Sequence, residues 1–301
     1  MKEKSAGITV VDRRSGECFK ECVFGDAVLK FVYETLLGRS LWGLLFNSCF
    51  LSSVLGRIYD SPRSKKSIAK LASVPGCSPE EAEFPPEQYP SFNAFFTRRL
   101  KDGMRPFDEA GDKLSSPSDG RLLVYENLSF DDAVPVKGAK RTIRELCRGT
   151  FEAEKLAVAV FRLAPVDYHR YHFPCDCTQK TAAEIYAGKY HSVNPVALVR
   201  RPDVYVENTR QITELVSPVF GSFFYIEVGA FGVGSIVQTS DVGTHRKQDE
   251  KGYFKFGGST VILVFDSSRV KWSCDLLENT RNGRETLVRC GETVGAAGNQ
   301  Q

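Results

Sequence analysis

The sequence has little of what several large protein classes require. It contains only four histidines and no Cys-x-x-Cys pair, so neither Cys175-x-Cys177 nor Cys18-x3-Cys22 predicts a zinc site, and we expect no metal. A net charge of +3 over 301 residues is too small to indicate nucleic-acid binding. The regular strand–helix alternation of a doubly wound parallel sheet is missing. So is the G-x-S-x-G motif of many serine hydrolases.

The beginning of the chain also lacks a long apolar segment. Charged residues recur through the first 22 positions, so we expect no secretory signal. Nine cysteines without the spacing of a disulfide framework favour a reducing, cytosolic compartment. A hydrophobic fraction of 42% and a charged fraction of 26% are typical of a folded protein with ample core.

Two helices are predicted in the N-terminal part. Residues 26–38 carry apolar side chains at helical spacing, with Asp26 as the N-cap and Gly38 as the stop. Residues 40–56 are uncharged, but these 17 residues include an asparagine and several serines and fall short of a spanning helix. Because arginines flank the segment, we predict an interfacial helix on anionic lipid. A core helix packed on the rest of the protein is the alternative.

The remainder of the chain predicts mostly strands. Residues 1–24 predict a polar lead-in with a short hairpin, and residues 73–90, rich in Pro and Glu, predict an irregular linker. Ser91 caps a predicted helix over 92–100, whose phenylalanines share one face. Short β-branched or apolar runs give the candidate strands, which are 122–125, 156–163, 223–228, 235–238 and 260–265.

We therefore predict an α+β fold in two parts. Residues 1–90 form an N-terminal helical, membrane-associating region with a linker, and residues 91–301 form a mainly antiparallel β catalytic domain. Two turns, at residues 117–122 and 288–294, resemble those of lipoyl-like barrel-sandwich domains. This resemblance adds a lipoyl-like barrel-sandwich character to the predicted catalytic domain.

One stretch, residues 256–265 (FGGSTVILVF), combines two glycines, a Ser-Thr pair and a run of strand-forming residues. The plain interpretation is a tight turn before a buried strand. The reactive alternative makes Ser259 a nucleophile that attacks the carbonyl of Gly258, because glycine removes the Cβ that would crowd a strained peptide. That alternative needs a base and a group that orients the base.

Two other segments supply candidates for these roles. Asp119 lies in a turn before a strand, where an aspartate often serves only the turn. His169 and His172 lie three residues apart in residues 165–174 (PVDYHRYHFP), and histidine titrates near neutrality, which suits proton transfer. Chance clustering and half of a metal site are the alternatives for this pair. Together Asp119, His172 and Ser259 provide the orienter, the base and the hydroxyl of an activated nucleophile.

The order of these motifs resembles that of one family. Residues 116–120 (SPSDG), 168–174 (YHRYHFP) and 192–195 (SVNP) resemble successive blocks of phosphatidylserine decarboxylase proenzymes. Residues 252–260 (GYFKFGGST) resemble the block at which those proenzymes cut themselves, and residues 92–100 match a further block. The resemblance covers roughly residues 25–295. Many relatives carry Leu at the position of Gly257, but Gly258-Ser259-Thr260 is intact, so we expect cleavage to be retained.

The resemblance implies a pyruvoyl-dependent decarboxylase. Ser259 would attack Gly258, with His172 as the base and Asp119 as its orienter. Cleavage would give residues 1–258 (the β chain) and 259–301 (the α chain), and would convert Ser259 into a covalent pyruvoyl group. That ketone would condense with the amine of phosphatidylserine and take up electrons as CO2 leaves, giving phosphatidylethanolamine. His169 would assist decarboxylation or reprotonate Cα.

The resemblance also implies partners and a location. We expect phosphatidylserine as substrate, a heterodimer of the two self-cleaved chains with any higher oligomer left open, and no nucleic acid. The protein would lie on the cytoplasmic side of the cell membrane as a peripheral protein. A membrane-associated Ser-His-Asp lipid hydrolase is the alternative enzyme, and a scaffold of lipoyl-like barrels is the non-enzymatic alternative.

Overall fold

The computed structural model describes residues 9–20, 56–136, 138–189, 191–193, 198–199, 201–230, 236–256 and 259–298. The predicted helices over residues 26–38 and 40–56 lie outside these ranges, except for residue 56. Gly257 and Gly258 also lie outside them. Within the described ranges, no helix combines the length and the apolar character needed to cross a membrane.

Strands dominate the described residues. They are β1 (Thr9–Asp12), β2 (Cys18–Lys20), β3 (Lys113–Ser115), β4 (Gly120–Leu128), β5 (Leu156–Leu163), β6 (Arg170–His172), β7 (Cys177–Gln179), β8 (Glu184–Tyr186), β9 (Arg210–Ser217), β10 (Gly221–Gly229), β11 (Ile236–Gln238), β12 (Gly243–His245), β13 (Glu250–Phe254), β14 (Ser259–Asp266), β15 (Val270–Trp272), β16 (Glu285–Val288) and β17 (Thr293–Ala297). The helices are α1 (Lys66–Ala72), α2 (Phe92–Phe96), α3 (Ile143–Cys147), α4 (Val204–Glu207) and α5 (Cys274–Arg281), and residues 56–60 are helical as well.

One large sheet organises these elements. Its strand order is β12-β7-β9-β10-β14-β5-β4-β16-β1-β2, with β8 paired to β9, and every pair except β1–β16 is antiparallel. Two three-stranded sheets, β11-β13-β6 and β15-β17-β3, complete the described strands. The predicted mixed α+β fold with mainly antiparallel strands is confirmed. The described strands form no closed barrel, so the lipoyl-like character is without structural support.

The centre of the large sheet is apolar on both faces. All eight residues of β5 are buried, and seven of the eight residues of β14 are buried. One face carries a hydrophobic cluster around Phe161 and Leu263, and the opposite face carries a second cluster around Val160 and Ile262. A strand covered on both faces becomes a continuous apolar run, which explains why these two strands are evident in the sequence.

The part of the chain before residue 91 packs directly on the sheet region. A third hydrophobic cluster joins side chains of α1 and α2 to the end of β5, and its members include Ile68, Leu71, Tyr89, Phe92, Phe95, Phe96, Ala164 and Val166. Ser91 caps α2, since its Oγ accepts a hydrogen bond from the Ala94 N–H at 3.2 Å. The predicted domain boundary at residue 90 therefore falls inside one continuous hydrophobic cluster. The predicted hairpin is present as β1 and β2.

Candidate active site

Ser259 is the first residue of β14, at the middle of the large sheet. Its backbone is paired with Gly229 of β10 on one side and Leu163 of β5 on the other. Its relative exposure is 0%. A buried hydroxyl requires a hydrogen-bond partner, and Nδ1 of His169 lies 3.2 Å from Ser259 Oγ. The structure thus brings together two of the predicted site residues.

The imidazole of His169 has a defined tautomer. Its Nε2 lies 3.0 Å from the carbonyl oxygen of Ala164, which can only accept, so Nε2 carries the hydrogen and Nδ1 presents a lone pair to Ser259. Burial lowers the pKa of His169 to about 3, and the charges of Arg98 and Arg121 act in the same direction. His169 is therefore neutral at pH 7.

The turn after β5 fixes this imidazole. Asp167 Oδ2 accepts a hydrogen bond from the Ala164 N–H at 2.6 Å and also pairs with Arg121. Nη2 of Arg98 donates to the carbonyl oxygens of Val166 and Asp167, at 3.2 and 3.4 Å. These contacts hold the Ala164 carbonyl where His169 donates to it. Asp167, Arg98 and Arg121 were not among the residues predicted from the sequence, although Arg98 lies in the block 92–100 and Asp167 in the segment 165–174.

His172 lies three residues further on, in a more polar setting. Its Nδ1 donates to the carbonyl oxygen of Gln248 at 2.9 Å, and its Nε2 lies 3.3 Å from the hydroxyl of Tyr168. Burial lowers the pKa of His172, whereas the Gln248 carbonyl and the charges of Glu250 and Asp119 work against that decrease. A cavity of about 370 Å³ borders His172, Tyr168 and Glu250.

Asp119 is held by an arginine instead of a histidine. Its carboxylate accepts two hydrogen bonds from Arg105, at 2.8 and 2.6 Å, and one from the backbone N–H of Cys290 at 2.8 Å. The turn that carries Asp119 still lies next to His172, because the backbone N–H of His172 donates to the carbonyl oxygen of Pro117 at 2.8 Å. Asp119 therefore acts on His172 through its charge, without a hydrogen bond to that ring.

The predicted residues are thus divided between two places. The structure brings Ser259 and His169 into contact, and it does not bring His172 or Asp119 within hydrogen-bonding distance of Ser259. The family resemblance implies His172 as the base and leaves His169 for turnover, whereas the imidazole in contact with the Ser259 hydroxyl is that of His169. Sequence spacing cannot distinguish the two rings, because both follow the same strand.

The site belongs to the class of buried serine–imidazole pairs in which the serine's own backbone supplies an adjoining acyl group. Ser259 Oγ has a neutral imidazole as acceptor, yet the residue is inaccessible to solvent. In the uncut chain this hydroxyl is closed to a separate ester substrate. The preceding peptide, by contrast, is joined to Ser259 covalently.

Comparison with known proteins agrees with this class. The model of the phosphatidylserine decarboxylase family matches residues 92–296. The phosphatidylserine decarboxylase proenzyme of Clostridium novyi is 39% identical over 292 residues, covering 96% of this chain and 99% of the relative. The proenzymes of Fusobacterium nucleatum and Chlamydia pneumoniae are each 38% identical, over 96% and 95% of this chain and 97% and 96% of their own lengths. The chain belongs to the phosphatidylserine decarboxylase family.

Proposed function

We propose that this chain is the precursor of a pyruvoyl-dependent phosphatidylserine decarboxylase, which converts phosphatidylserine to phosphatidylethanolamine and CO2. The contact between Ser259 Oγ and His169 Nδ1 at the predicted cleavage motif carries the proposal. The relatives support it, because they are named as proenzymes of that decarboxylase. The hydrolase alternative lacks support, since Ser259 starts a strand instead of the helix that follows the nucleophile of many serine hydrolases.

Processing would begin with attack of Ser259 Oγ on the carbonyl carbon of Gly258. The C–N bond breaks, Gly258 becomes an ester of the Ser259 hydroxyl, and the amine of residue 259 is freed. Loss of the Cα proton then expels Gly258 as a carboxylate and leaves dehydroalanine at position 259. Water converts the tautomeric imine into a ketone and releases ammonia. His169 fixes the direction of the attacking hydroxyl by accepting its hydrogen bond.

Contact and basicity point to different histidines for the proton transfer. A ring with a pKa of about 3 holds a hydroxyl well but is a poor proton acceptor near neutrality. His172 keeps more of its basicity because Glu250 and Asp119 offset part of its burial. We therefore retain His172 as the base of processing and Asp119 as the charge that supports it. His172 reaches Ser259 only after a rearrangement of the precursor.

The surroundings of residue 259 suit a covalent pyruvoyl group. A pyruvoyl group supplies a ketone that condenses with an amine and an adjacent carbonyl that accepts electrons when CO2 leaves. The ladder to β5 and β10 holds residue 259 in place after the preceding peptide is cut. His169 remains beside it, on a dry and apolar wall that includes Phe96. We accordingly retain His169 as the residue that assists decarboxylation.

The two chains would remain together after cleavage. Strand β14 of the smaller chain lies between β10 and β5 of the larger chain, and β16 lies between β4 and β1. Separating the chains would require two strands to leave the interior of one sheet. A tightly held heterodimer is therefore the assembly that the topology supports.

We also propose a peripheral position on the cytoplasmic side of the cell membrane. The support is the uncharged segment 40–56 with its arginine flanks, together with a two-chain lipid as substrate. Replacing Leu44, Leu45 and Phe46 by serine should reduce co-sedimentation with vesicles that contain phosphatidylserine, while cleavage continues. Unchanged sedimentation of this variant would contradict the membrane role of the segment.

Denaturing electrophoresis of the purified protein tests the proposed processing. The wild type should give two bands, corresponding to residues 1–258 and 259–301, and Ser259→Ala should give one. A serine hydrolase would give a single band in both cases. A single uncut wild-type chain under folding conditions would overturn the proposal.

A further inference from the structure

The chain is held tightly just before the predicted cleavage site. The backbone N–H of Phe256 donates to Oδ1 of Asn93 at 3.1 Å. Asn93 lies on α2, is 2% exposed, and uses its Nδ2 to donate to Oδ1 of Asp60 at 3.0 Å. Since a backbone N–H only donates and a carboxylate accepts, these two partners determine which way the Asn93 amide points.

The side chains of residues 255 and 256 are held as well. The Phe256 ring contacts Tyr59, Phe92 and Phe96 with centroid distances of 4.7, 4.9 and 5.2 Å, each in an edge-on arrangement. We call these three rings the aromatic cage. Lys255 Nζ lies 3.0 Å from Oδ2 of the same Asp60 that accepts from Asn93. The holding contacts thus come from both the polar backbone and the apolar side chain.

The aromatic cage is connected to Ser259 through the imidazole of His169. Phe96 stacks on the imidazole of His169 with a centroid distance of 3.9 Å and an interplanar angle of 25°. That imidazole is the one in contact with Ser259 Oγ. One ring therefore serves as a wall for Phe256 and as the support of His169.

The cleavage site lies between two fixed points. Phe256 is fixed by Asn93 and the cage, and Ser259 is fixed by the ladder to β5 and β10. Gly257 and Gly258 alone connect them, and glycine has the greatest backbone freedom of any residue. A reacting carbonyl in such a segment must be oriented by its neighbours, because correct placement accounts for a large part of a reaction barrier.

We propose that Asn93, acting through Phe256, is a positioning residue that orients the Gly258–Ser259 peptide for self-processing. The inference rests on the proposed function, since a chain that does not cut itself needs no such placement. Asn93 acts before cleavage, so its importance should be greater for the formation of the two chains than for later turnover.

A matched set of variants tests this role. Asn93→Leu keeps the size of the side chain but removes both hydrogen bonds. The double variant Asn93→Asp/Asp60→Asn keeps an acceptor for the Phe256 N–H and exchanges the donor and acceptor between positions 60 and 93. Asn279→Leu is the control, because that asparagine donates to Thr286 and contacts neither Phe256 nor Asp60.

The rate of cleavage is measured by pulse-labelling the chains during cell-free synthesis and following the two products. We expect Asn93→Leu to be cut at least about tenfold more slowly than the wild type, and the double variant to be cut within about threefold of it. Asn279→Leu should be cut at the wild-type rate. Rescue by the exchanged pair supports orientation by hydrogen bonding, and a double variant as slow as Asn93→Leu would overturn it.

Two further readouts separate positioning from general damage. Decarboxylation per cleaved molecule of Asn93→Leu should stay within about twofold of the wild type, because the Gly258–Ser259 peptide that Asn93 orients no longer exists after cleavage. An equal loss in cleavage and in turnover would overturn the positioning role. If the wild type is cut and Asn93→Leu is cut equally fast, the inference alone fails. If the wild type itself is not cut, the proposed function fails with it.

Discussion

His169 and His172 are three residues apart in the chain and lie in opposite surroundings. His169 is fully buried against Phe96 and Ser259, and the charges of Arg98 and Arg121 disfavour its charged form. His172 borders an open cavity, and the carboxylates of Glu250 and Asp119 favour its charged form. One ring has the contact with the nucleophile, and the other has the electrostatic support that a base requires.

The difference teaches that contact alone does not identify a base. Burial lowers the pKa of both rings, and the charges of Arg98 and Arg121 lower the pKa of His169 further. The charges of Glu250 and Asp119 instead raise the pKa of His172, against a smaller lowering by Arg170. A neutral ring without a carboxylate suits holding a hydroxyl, and a ring near carboxylates suits accepting a proton. The following variants test this division of roles between His169 and His172, in order of decreasing expected effect.

Removal of His172 should have the largest effect. We expect His172→Ala to slow cleavage by on the order of a thousandfold, because the precursor loses the proton acceptor. The measurement is the rate of product formation in pulse-labelled chains. His245→Ala is the control, since His245 lies on β12 and stacks on Phe173. Cleavage of His172→Ala at the wild-type rate would contradict the division.

Removal of His169 should affect the two reactions unequally. His169→Ala should slow cleavage by about tenfold, through lost orientation of the Ser259 hydroxyl. Decarboxylation per cleaved molecule should fall by on the order of a hundredfold, because the ring beside residue 259 no longer orients the reacting groups. Cleavage and turnover are measured on the same preparation. An uncut His169→Ala together with a normally cut His172→Ala would reverse the two roles.

The pH dependence of cleavage sharpens the comparison. A protonated imidazole cannot accept a proton, so the rate should fall in acid with a midpoint below pH 6.5, the ordinary value for histidine. Asp119→Asn removes a charge that raises the pKa of His172, so the midpoint should move to lower pH. Asp112→Asn is the control, because the side chain of Asp112 is exposed. If Asp119→Asn leaves the midpoint of the cleavage rate unchanged, Asp119 does not support the pKa of His172.

The smallest effect concerns stability in the uncut Ser259→Ala chain. The pKa of His169 is about 3 in the folded chain and 6.5 in the unfolded chain, so the unfolded state binds the proton more readily. The stability that His169 contributes is present above pH 6.5 and is lost as the pH falls toward 3. Between pH 6.5 and about pH 4.5, urea unfolding should show a loss of about 2 kcal/mol in the free energy of unfolding, and His169→Gln should remove that loss. If the free energy of unfolding falls equally with pH in Ser259→Ala and in Ser259→Ala/His169→Gln, His169 does not lie in a water-excluded environment.

The sequence predicted the elements whose residues share one simple pattern. Strand β5 was placed with its observed bounds because it is apolar on both faces, and Ser91 was identified as the cap of α2. The predicted helix over residues 92–100 ends earlier, at Phe96. The packing of residues before 91 against the sheet was not predicted, because it depends on contacts between segments that are distant in the chain.

The sequence singled out candidate site residues but did not indicate their arrangement. Ser259, His169, His172 and Asp119 all lie near one end of β5 and β14, as the motifs indicate. The pairing of Asp119 with Arg105 was not foreseeable, since an aspartate in a turn carries no sign of its partner. The roles of Arg98, Asp167 and Asn93 depend on hydrogen bonds to backbone atoms, which no spacing in the sequence reveals.

The intact mass of the smaller chain tests the central claim most directly. If Ser259 is converted during self-processing, the purified wild type yields a chain of residues 259–301 that is lighter by one ammonia than the same chain beginning with serine. Reduction with borohydride should then shift that mass by two hydrogens, because the terminal group carries a ketone. A smaller chain whose mass matches an unmodified serine terminus would contradict the account.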